Sequence, residues 1–412
     1  MKAGRSRHER RAAGGKRGGP MKYDVIVIGG GLHGSSTAYH LIAREPGLRI
    51  AVVERDPSYE HAASIRTTAG VRVMFSQEEN VRMSQYGHEF YRGYEKTMAV
   101  DGEEATVSFR RQGYLHIATS ADLAGIMREN HTLQRSLGCN VDLIDAAEMA
   151  ARFPSVRTED VVCATHSPDD GWIDSHGALM ALRRKARSLG VSYIAGSVVG
   201  LNVASGLVRS VALESGEVLE GDWVVNNTGA WAHEVCAMVG LDIPVRPMPR
   251  TTWFFECRSE IEPLPLTTDV TDGRSIGFRP EGAGFISGIS DYERTGDFDW
   301  EPDLDGFESE AWPRLARRLP AFEAIRLRNA WACHYAYNTF DGNMIIGAWP
   351  GAPANFLTAT GFSGHGLQHA PATGRALSEL ILDGRFTTID LDRFHCRRVP
   401  ENRREPERGV TA

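Results

Sequence analysis

Three glycines and one acid carry the most specific chemistry in this sequence. Gly29, Gly31 and Gly34 stand at the spacing G-x-G-x-x-G, and Glu54 comes 20 residues after Gly34. Glycine at the first position permits a tight turn. At the second it lets the backbone approach a pyrophosphate, and at the third it lets a helix pack close to a strand. An acid placed like Glu54 accepts hydrogen bonds from a ribose diol. These four residues need a frame, and the flanking sequence supplies it. Residues 25–28 are an apolar run without turn residues, as suits a strand buried on both faces. Residues 35–41 read as a helix whose N-terminus offers unpaired N–H groups to phosphate. Residues 49–53 form a second apolar run that stops at Glu54. A glycine-rich turn alone is a weak signal. With strand, turn, helix and acid in register, the pattern is that of a dinucleotide site.

Composition bounds the remaining possibilities. The 412 residues allow two domains or one interleaved fold. Hydrophobic content of 42% and charged content of 24% are those of an ordinary globular chain. The net charge of −7 comes with no basic face beyond the N-terminus, so nucleic acid is not an expected partner. Six scattered cysteines without C-x-x-C suggest neither a zinc site nor a disulfide framework, and the reducing cytoplasm is the expected compartment. No apolar run approaches the roughly 18 residues that a membrane span needs. Only five lysines occur, the last being Lys185, so any later cationic chemistry falls to arginine or histidine.

Along the chain, residues 1–20 carry seven basic residues and no apolar stretch. They read as a disordered basic tail, or as an over-long start ahead of Met21. Helices are expected over 78–94, 122–137, 146–153, 175–189, 232–238 and 310–318. Residues 191–228 are β-rich and broken by glycines, and 245–290 alternate apolar and polar residues as an antiparallel sheet does. Near the C-terminus a strand at 356–359 enters the turn Gly361-Phe362-Ser363-Gly364-His365-Gly366, which leads into a helix. The charged residues after Arg397 are expected to be disordered. The first nucleotide unit is thus not continued by further βα units. It gives way to antiparallel strands and returns as strand–glycine–helix at the far end. Such an interrupted domain suits a flavin, whose ring needs a platform beyond the dinucleotide site.

On these stretches the chain resembles the FAD-dependent amine and amino-acid oxidoreductases, the family of D-amino acid oxidase, glycine oxidase and sarcosine oxidase. The likeness spans residues 22–395. It rests on 25–54, on Gly70-Val71-Arg72 with Phe75-Ser76 and Glu79-Asn80 just after it, on 224–231 and on 361–367. Within that family it is similar to the mitochondrial FAD-dependent oxidoreductase domain-containing branch and to bacterial sarcosine oxidase β subunit-like proteins. The resemblance implies an α/β (α+β) fold in which a Rossmann-type FAD-binding domain is interleaved with an antiparallel-sheet substrate domain. The FAD-binding domain would take 21–100, 155–242 and 331–395. The substrate domain would take 101–154 and 243–330, with tails at 1–20 and 396–412.

The resemblance also implies roles. Glu54 would bind the adenosine ribose, Val198 would meet adenine through its backbone, and Gly229 would lie near the phosphates. Leu32, His33, Arg55 and Ser64 would be further cofactor contacts. Gly361, Gly364, Gly366 and Leu367 would place N–H groups and a helix end at the flavin's N1–C2=O edge, where the reduced ring is negative. The implied reaction takes a hydride from the carbon beside an amine. An amino-acid substrate then needs a cation for its carboxylate, and Arg72 is the first choice, Arg66 the second. Tyr335 and His365 are the other candidate catalytic residues. Cys333, in Cys333-His334-Tyr335, matches a stretch through which monomeric sarcosine oxidases attach FAD. Covalent FAD is therefore considered beside the noncovalent FAD that is expected. The lysines those oxidases use with oxygen have no counterpart here. Arg274 or Arg279 could substitute, and an acceptor other than oxygen is preferred. The alternatives are a flavin-containing assembly factor with little turnover and a subunit of a heteromeric oxidase.

Overall fold

The computed structural model describes residues 21–271, 274–289 and 294–410. The expected basic tail at 1–20 lies outside these residues. The strand Met21–Ile28 opens the fold, with Val25, Ile26 and Val27 fully buried. It pairs in parallel with Ile50–Glu54 on one side and Val218–Asn226 on the other. Ser192–Ala195 and Phe356–Thr360 extend this parallel sheet at its two edges, and Ile345–Ala348 closes it antiparallel. The helix Leu32–Arg44 and the last long helix, Gly366–Leu382, cover one face. They cross at Ser36 and Gly374, so closely that a Cβ at position 374 would lie 2.3 Å from Ser36 Oγ. Only glycine permits that approach. It draws the end of the chain onto the helix that begins at the glycine motif.

A second eight-stranded sheet stands apart from the first. Its order runs from Ile325–Asn338 through Val245–Cys257, Gly284–Ile289, Arg274–Glu281, Leu266–Thr271, Tyr114–Ala118 and Cys163–Ser167 to Asp142–Ile144. It is antiparallel except where Leu266–Thr271 meets Tyr114–Ala118. The strand Ile325–Asn338 pairs with Val245–Cys257 over its whole length and carries Tyr335 to the edge of the first sheet's ligand cleft. A short ribbon, Gly70–Val71 with Gly171–Trp172, lies between the two systems.

Some boundaries fall elsewhere than expected. Cys163–Ser167 belongs not with the nucleotide domain but with the antiparallel sheet, where it pairs with Tyr114–Ala118. Ile325–Asn338 runs straight through the expected break at 331. The segment 396–410, expected as a disordered tail, is packed. Arg398 is fully buried in an ion pair with Asp341 at 2.9 Å. Glu407 accepts hydrogen bonds from Ser76 N at 2.7 Å and Asn80 Nδ2 at 2.6 Å. The composition that suggests disorder is charged, and these charges find partners on the body of the fold. No helix among the described residues is long and apolar enough to cross a membrane.

Candidate functional site

The glycine motif builds a cradle in which each glycine has a separate task. Gly29 sits at φ +92°, and a Cβ there would come within 2.7 Å of Asn227 O. Its N–H donates to Val53 O at 2.8 Å, which fixes the turn to the second strand. A Cβ on Gly34 would lie 1.8 Å from Gly29 O, so the helix could not seat. Gly31 differs, because the nearest atom to a Cβ there is Ser64 Oγ at 3.9 Å. Its missing side chain leaves open space in front of a helix N-terminus that has neither a side-chain cap nor an acid in its first turn. Unpaired N–H groups facing open space suit a pyrophosphate. Glu54 accepts from Gly30 N at 2.7 Å and Asp56 N at 2.9 Å. Burial raises its carboxyl above the ordinary range, while the two N–H donors oppose that shift.

A continuous cleft extends from this cradle. Gly29, Gly31, Leu32, His33, Glu54, Arg55 and Ser64 line one part, and Val198 and Gly229 another. Tyr335, Gly364, Gly366 and Leu367 line its far part. Arg55 lies over the Trp231 ring, 3.8 Å from its centroid. His33 stacks on Phe362 at 4.1 Å and so joins the two glycine-rich turns. Burial holds its imidazole near pKa 3, hence neutral, and its Nε2 has no hydrogen-bond partner among the described residues. The open position at Gly31, the free helix N-terminus and this orphaned nitrogen together fit an FAD lying along the cleft.

A second, narrower cavity shares Thr67, Tyr335, Gly364 and Leu367 with the cleft. Arg72, Arg250, Arg279, Tyr114 and Gln368 also line it, with the hydroxyl residues Thr68, Thr268 and Ser275. Arg72 is 5% exposed. Its backbone N–H donates to Gln368 Oε1 at 2.7 Å, and its Nη1 reaches Tyr114 Oη at 3.4 Å. Its Nε and Nη2 are buried and have no hydrogen-bond partner among the described residues. A buried guanidinium with idle donors is a strong anion receptor, because the bonds that would offset its desolvation are still to be made.

The other expected residues are placed differently. Arg66 lines neither cavity: its guanidinium donates to Glu60 O and to Ala332 O, tying its loop to the strand Ile325–Asn338. His365 lines neither cavity, since its ring is buried against Phe75 at 5.1 Å. Burial and the nearby Arg72 push its pKa well below the ordinary value. Cys333 is also absent from both walls, and burial pushes its thiol up to about 11. A thiol held protonated and off the cleft wall is not arranged for attachment to a flavin. Gly34 and Gly361 shape the turns rather than line the cleft; Gly361 sits at φ +74° against Asn338. Sequence reasoning missed Tyr114, Arg250 and Gln368. The first two come from separate strands, and Gln368 lies in the first turn of a helix, so no local spacing connects them. Arg279 is named from the sequence only as a possible substitute for lysine.

A sequence model of the family described as FAD dependent oxidoreductase (DAO) matches residues 24–380. FAD-dependent oxidoreductase domain-containing protein 1 of Xenopus laevis is 36% identical, over 92% of this chain and 83% of that protein. Monomeric sarcosine oxidase of Bacillus sp. (strain B-0618) is 25% identical over 91% of this chain and 96% of its own length. Among solved structures, L-proline dehydrogenase from P. horikoshii superposes with a TM-score of 0.84 at 25% identity, covering 94% of this chain and 100% of that one.

Proposed function

This protein belongs to the DAO family of FAD-dependent oxidoreductases, and on that premise we propose that it oxidises the C–N bond of a secondary amine or amino acid. Arg72 is the observation that carries the reading. It is a buried cation with two idle donors, in a cavity that opens onto the far part of the cofactor cleft. Arg72 holds the substrate carboxylate, as a charge-assisted pair. Tyr335, which lines both cavities, forms the wall between substrate and cofactor. Gly364 and Gly366, at the N-terminus of Gly366–Leu382, line the cleft, and that helix has no acid in its first turn to compete for a flavin's negative edge. The bound flavin supplies the hydride acceptor. The substrate carbon gives up a hydride, the nitrogen gives up a proton, and water hydrolyses the resulting imine. His334 is held near pKa 4 by burial and stays neutral at the cleft wall, where its Nε2 accepts from Asp299 N. The cations nearest the reacting end are therefore arginines, and a carrier is the preferred electron acceptor over oxygen.

The test is the visible spectrum of the purified protein under anaerobic addition of amines. Sarcosine, proline, glycine, D-amino acids, iminodiacetate and N-methylglutamate make up the panel. Bleaching by at least one amine is expected. A yellow protein that no member of the panel bleaches would overturn the reading.

A further inference from the structure

Two residues that touch in the narrow cavity come from segments far apart in the chain. Arg72 directly succeeds the strand Gly70–Val71, and Tyr114 opens the strand Tyr114–Ala118. Their heads meet where Arg72 Nη1 reaches Tyr114 Oη at 3.4 Å, and both line the cavity. An anion receptor assembled from two segments is effective only if both are held in register by other groups.

The short stretch 170–173 lies between these segments and bonds to both. On the Arg72 side, Gly171–Trp172 pairs with Gly70–Val71, and Ile173 N donates to Ala69 O at 3.2 Å. On the Tyr114 side, Arg110 N donates to Trp172 O at 2.8 Å, Trp172 N to Arg110 O at 3.2 Å and Gly113 N to Asp170 O at 2.9 Å. Gly171 passes so close to Arg110 that a Cβ there would lie 1.9 Å from its carbonyl oxygen. The ribbon's backbone pairing stops at Val71. Beyond it a side chain takes over, because Asp170 Oδ2 accepts from Val73 N at 3.1 Å. Asp170 is thus bonded through its carboxylate to the residue after Arg72, and through its carbonyl to the residue before Tyr114. It is fully buried. Its other carboxylate oxygen lies 3.1 Å from His88 Nε2, at ion-pairing distance though not aligned for a hydrogen bond. A carboxylate is costly to bury, and this one lines neither cavity.

Resting on the reading of Arg72 as the receptor for a substrate carboxylate, we propose that Asp170 is a positioning residue for that site. Arg72 N is held by Gln368 and Val73 N by Asp170, so two consecutive peptides are fixed by side chains from two distant segments. The Asp170 carbonyl fixes Gly113 in the same way and keeps Tyr114 against Arg72 Nη1. Loss of the carboxylate leaves Val73 N unpaired in a buried place, and the Arg72 guanidinium drifts out of register with Tyr114. Asp170 touches neither cavity, so the hold on carboxylate weakens while the chemistry at the C–N bond does not change.

Calorimetry of propionate binding to the flavin-loaded protein tests this without turnover. Asp170→Ala is expected to weaken propionate by at least about tenfold, with flavin content unchanged. Asp170→Asn keeps an acceptor oxygen for Val73 N and is expected to stay within about threefold of the unmodified protein. Anaerobic reduction by an amine that bleaches the unmodified protein gives a second readout. There Asp170→Ala should raise the apparent Kd by the same factor and leave the limiting rate within about threefold. A merely structural defect would lower flavin content and limiting rate together. Unchanged propionate affinity in Asp170→Ala overturns the inference, and so does equal weakening in Asp170→Asn. If Asp170→Ala does not fold, residue-resolved hydrogen exchange on the unmodified protein decides. The Val73 amide should be protected like that of Arg72, and saturating propionate should slow both; an unprotected Val73 amide overturns the inference. Unmodified protein that binds no propionate also overturns it, whatever the amines do. Bleaching by an amine with unchanged propionate affinity in Asp170→Ala sinks this inference and leaves the amine reading standing. Weaker propionate binding in that variant, with no amine bleaching the unmodified protein, does the reverse.

Discussion

The backbone N–H of Arg72 donates to the carboxamide oxygen of Gln368 at 2.7 Å, across 296 positions of sequence. This bond ties the chain at Arg72 to the helix that follows the second glycine turn. The proposed substrate cation and the proposed flavin platform are thus joined by a buried hydrogen bond. The bond is buried, so removing its acceptor leaves a desolvated N–H at a cost of about 1–3 kcal/mol. Gln368→Ala is expected to weaken binding of a carboxylate ligand by about tenfold while flavin content changes little. Equal losses of ligand and flavin binding would argue against this coupling.

Arg72 itself is a harder loss. Arg72→Gln removes the charge from a buried pair, and such truncations cost about 2–5 kcal/mol. The apparent Kd for substrate in anaerobic flavin reduction should rise by roughly two orders of magnitude or more. The flavin spectrum in the absence of substrate should stay close to that of the unmodified protein. A variant with unchanged substrate affinity would place the carboxylate elsewhere.

The three motif glycines separate folding from cofactor binding. Gly34→Ala drives a methyl into Gly29 O, 1.8 Å from where the Cβ must go. It is expected to lower both thermal stability and flavin content. Gly31→Ala meets nothing nearer than 3.9 Å and its φ is −61°, so the fold should tolerate it. The added methyl instead occupies the space for the pyrophosphate. Near-normal melting of the flavin-free protein with much reduced flavin content is the expected pattern. Equal melting losses for both variants would contradict it.

The buried Cys333 bears on how FAD is held. With its thiol raised to about 11 and off the cleft wall, acid precipitation should release the yellow colour into the supernatant. Cys333→Ala should leave flavin content unchanged. Colour that stays with the pellet of the unmodified protein, and is freed by the substitution, would reverse this.

Glu379 gives a pH signature. It accepts from Arg375 Nε at 2.7 Å, from Thr387 N at 2.6 Å and from Thr388 N at 3.1 Å, and these partners lower its carboxyl to about 2 against the opposing effect of burial. A depressed carboxylate adds stability that is present above its unfolded pKa, near 4.5, and is lost as pH falls toward 2. The contribution at neutral pH is of order 2–3 kcal/mol. Glu379→Gln should melt several degrees lower at pH 7, and the gap should narrow steadily below pH 4.5. A gap that is constant with pH would mean the carboxylate's charge is not what stabilises the last helix.

The C-terminal segment is bonded to the chain just after Arg72. Glu407 accepts from Ser76 N at 2.7 Å, and Arg408 N donates to Ser76 Oγ at 2.8 Å. Ser76 lies four residues after Arg72, at the start of the helix Glu78–Arg92, whose own N-cap residue gives no side-chain bond. A chain ending at Asn402 is expected to melt several degrees lower and to lose carboxylate affinity more than flavin affinity. Loss of flavin affinity alone would place the support elsewhere.

Whatever a short span encodes is legible in the residues alone. The nucleotide cradle at 29–34 with Glu54 is one local unit, because helix, turn and strand are covalently adjacent and each glycine has a near neighbour to clear. The alternation over 245–290 announces an antiparallel sheet for the same reason, since side-chain direction follows from position along one strand. The second cavity exists only in three dimensions. Arg72, Tyr114, Arg250, Arg279 and Gln368 arrive from five separate elements, and nothing in the spacing of any one of them reveals the others. Packing also separates the candidates. Arg66, His365 and Cys333 each sit in the right stretch of chain, but a side chain's direction is set by what packs against it. Phe75 and Ala332 O, from distant segments, take His365 and Arg66 away from the cavities. The charged C-terminus is illegible in the same way, because a run of acids and arginines looks solvated until the rest of the fold supplies its partners.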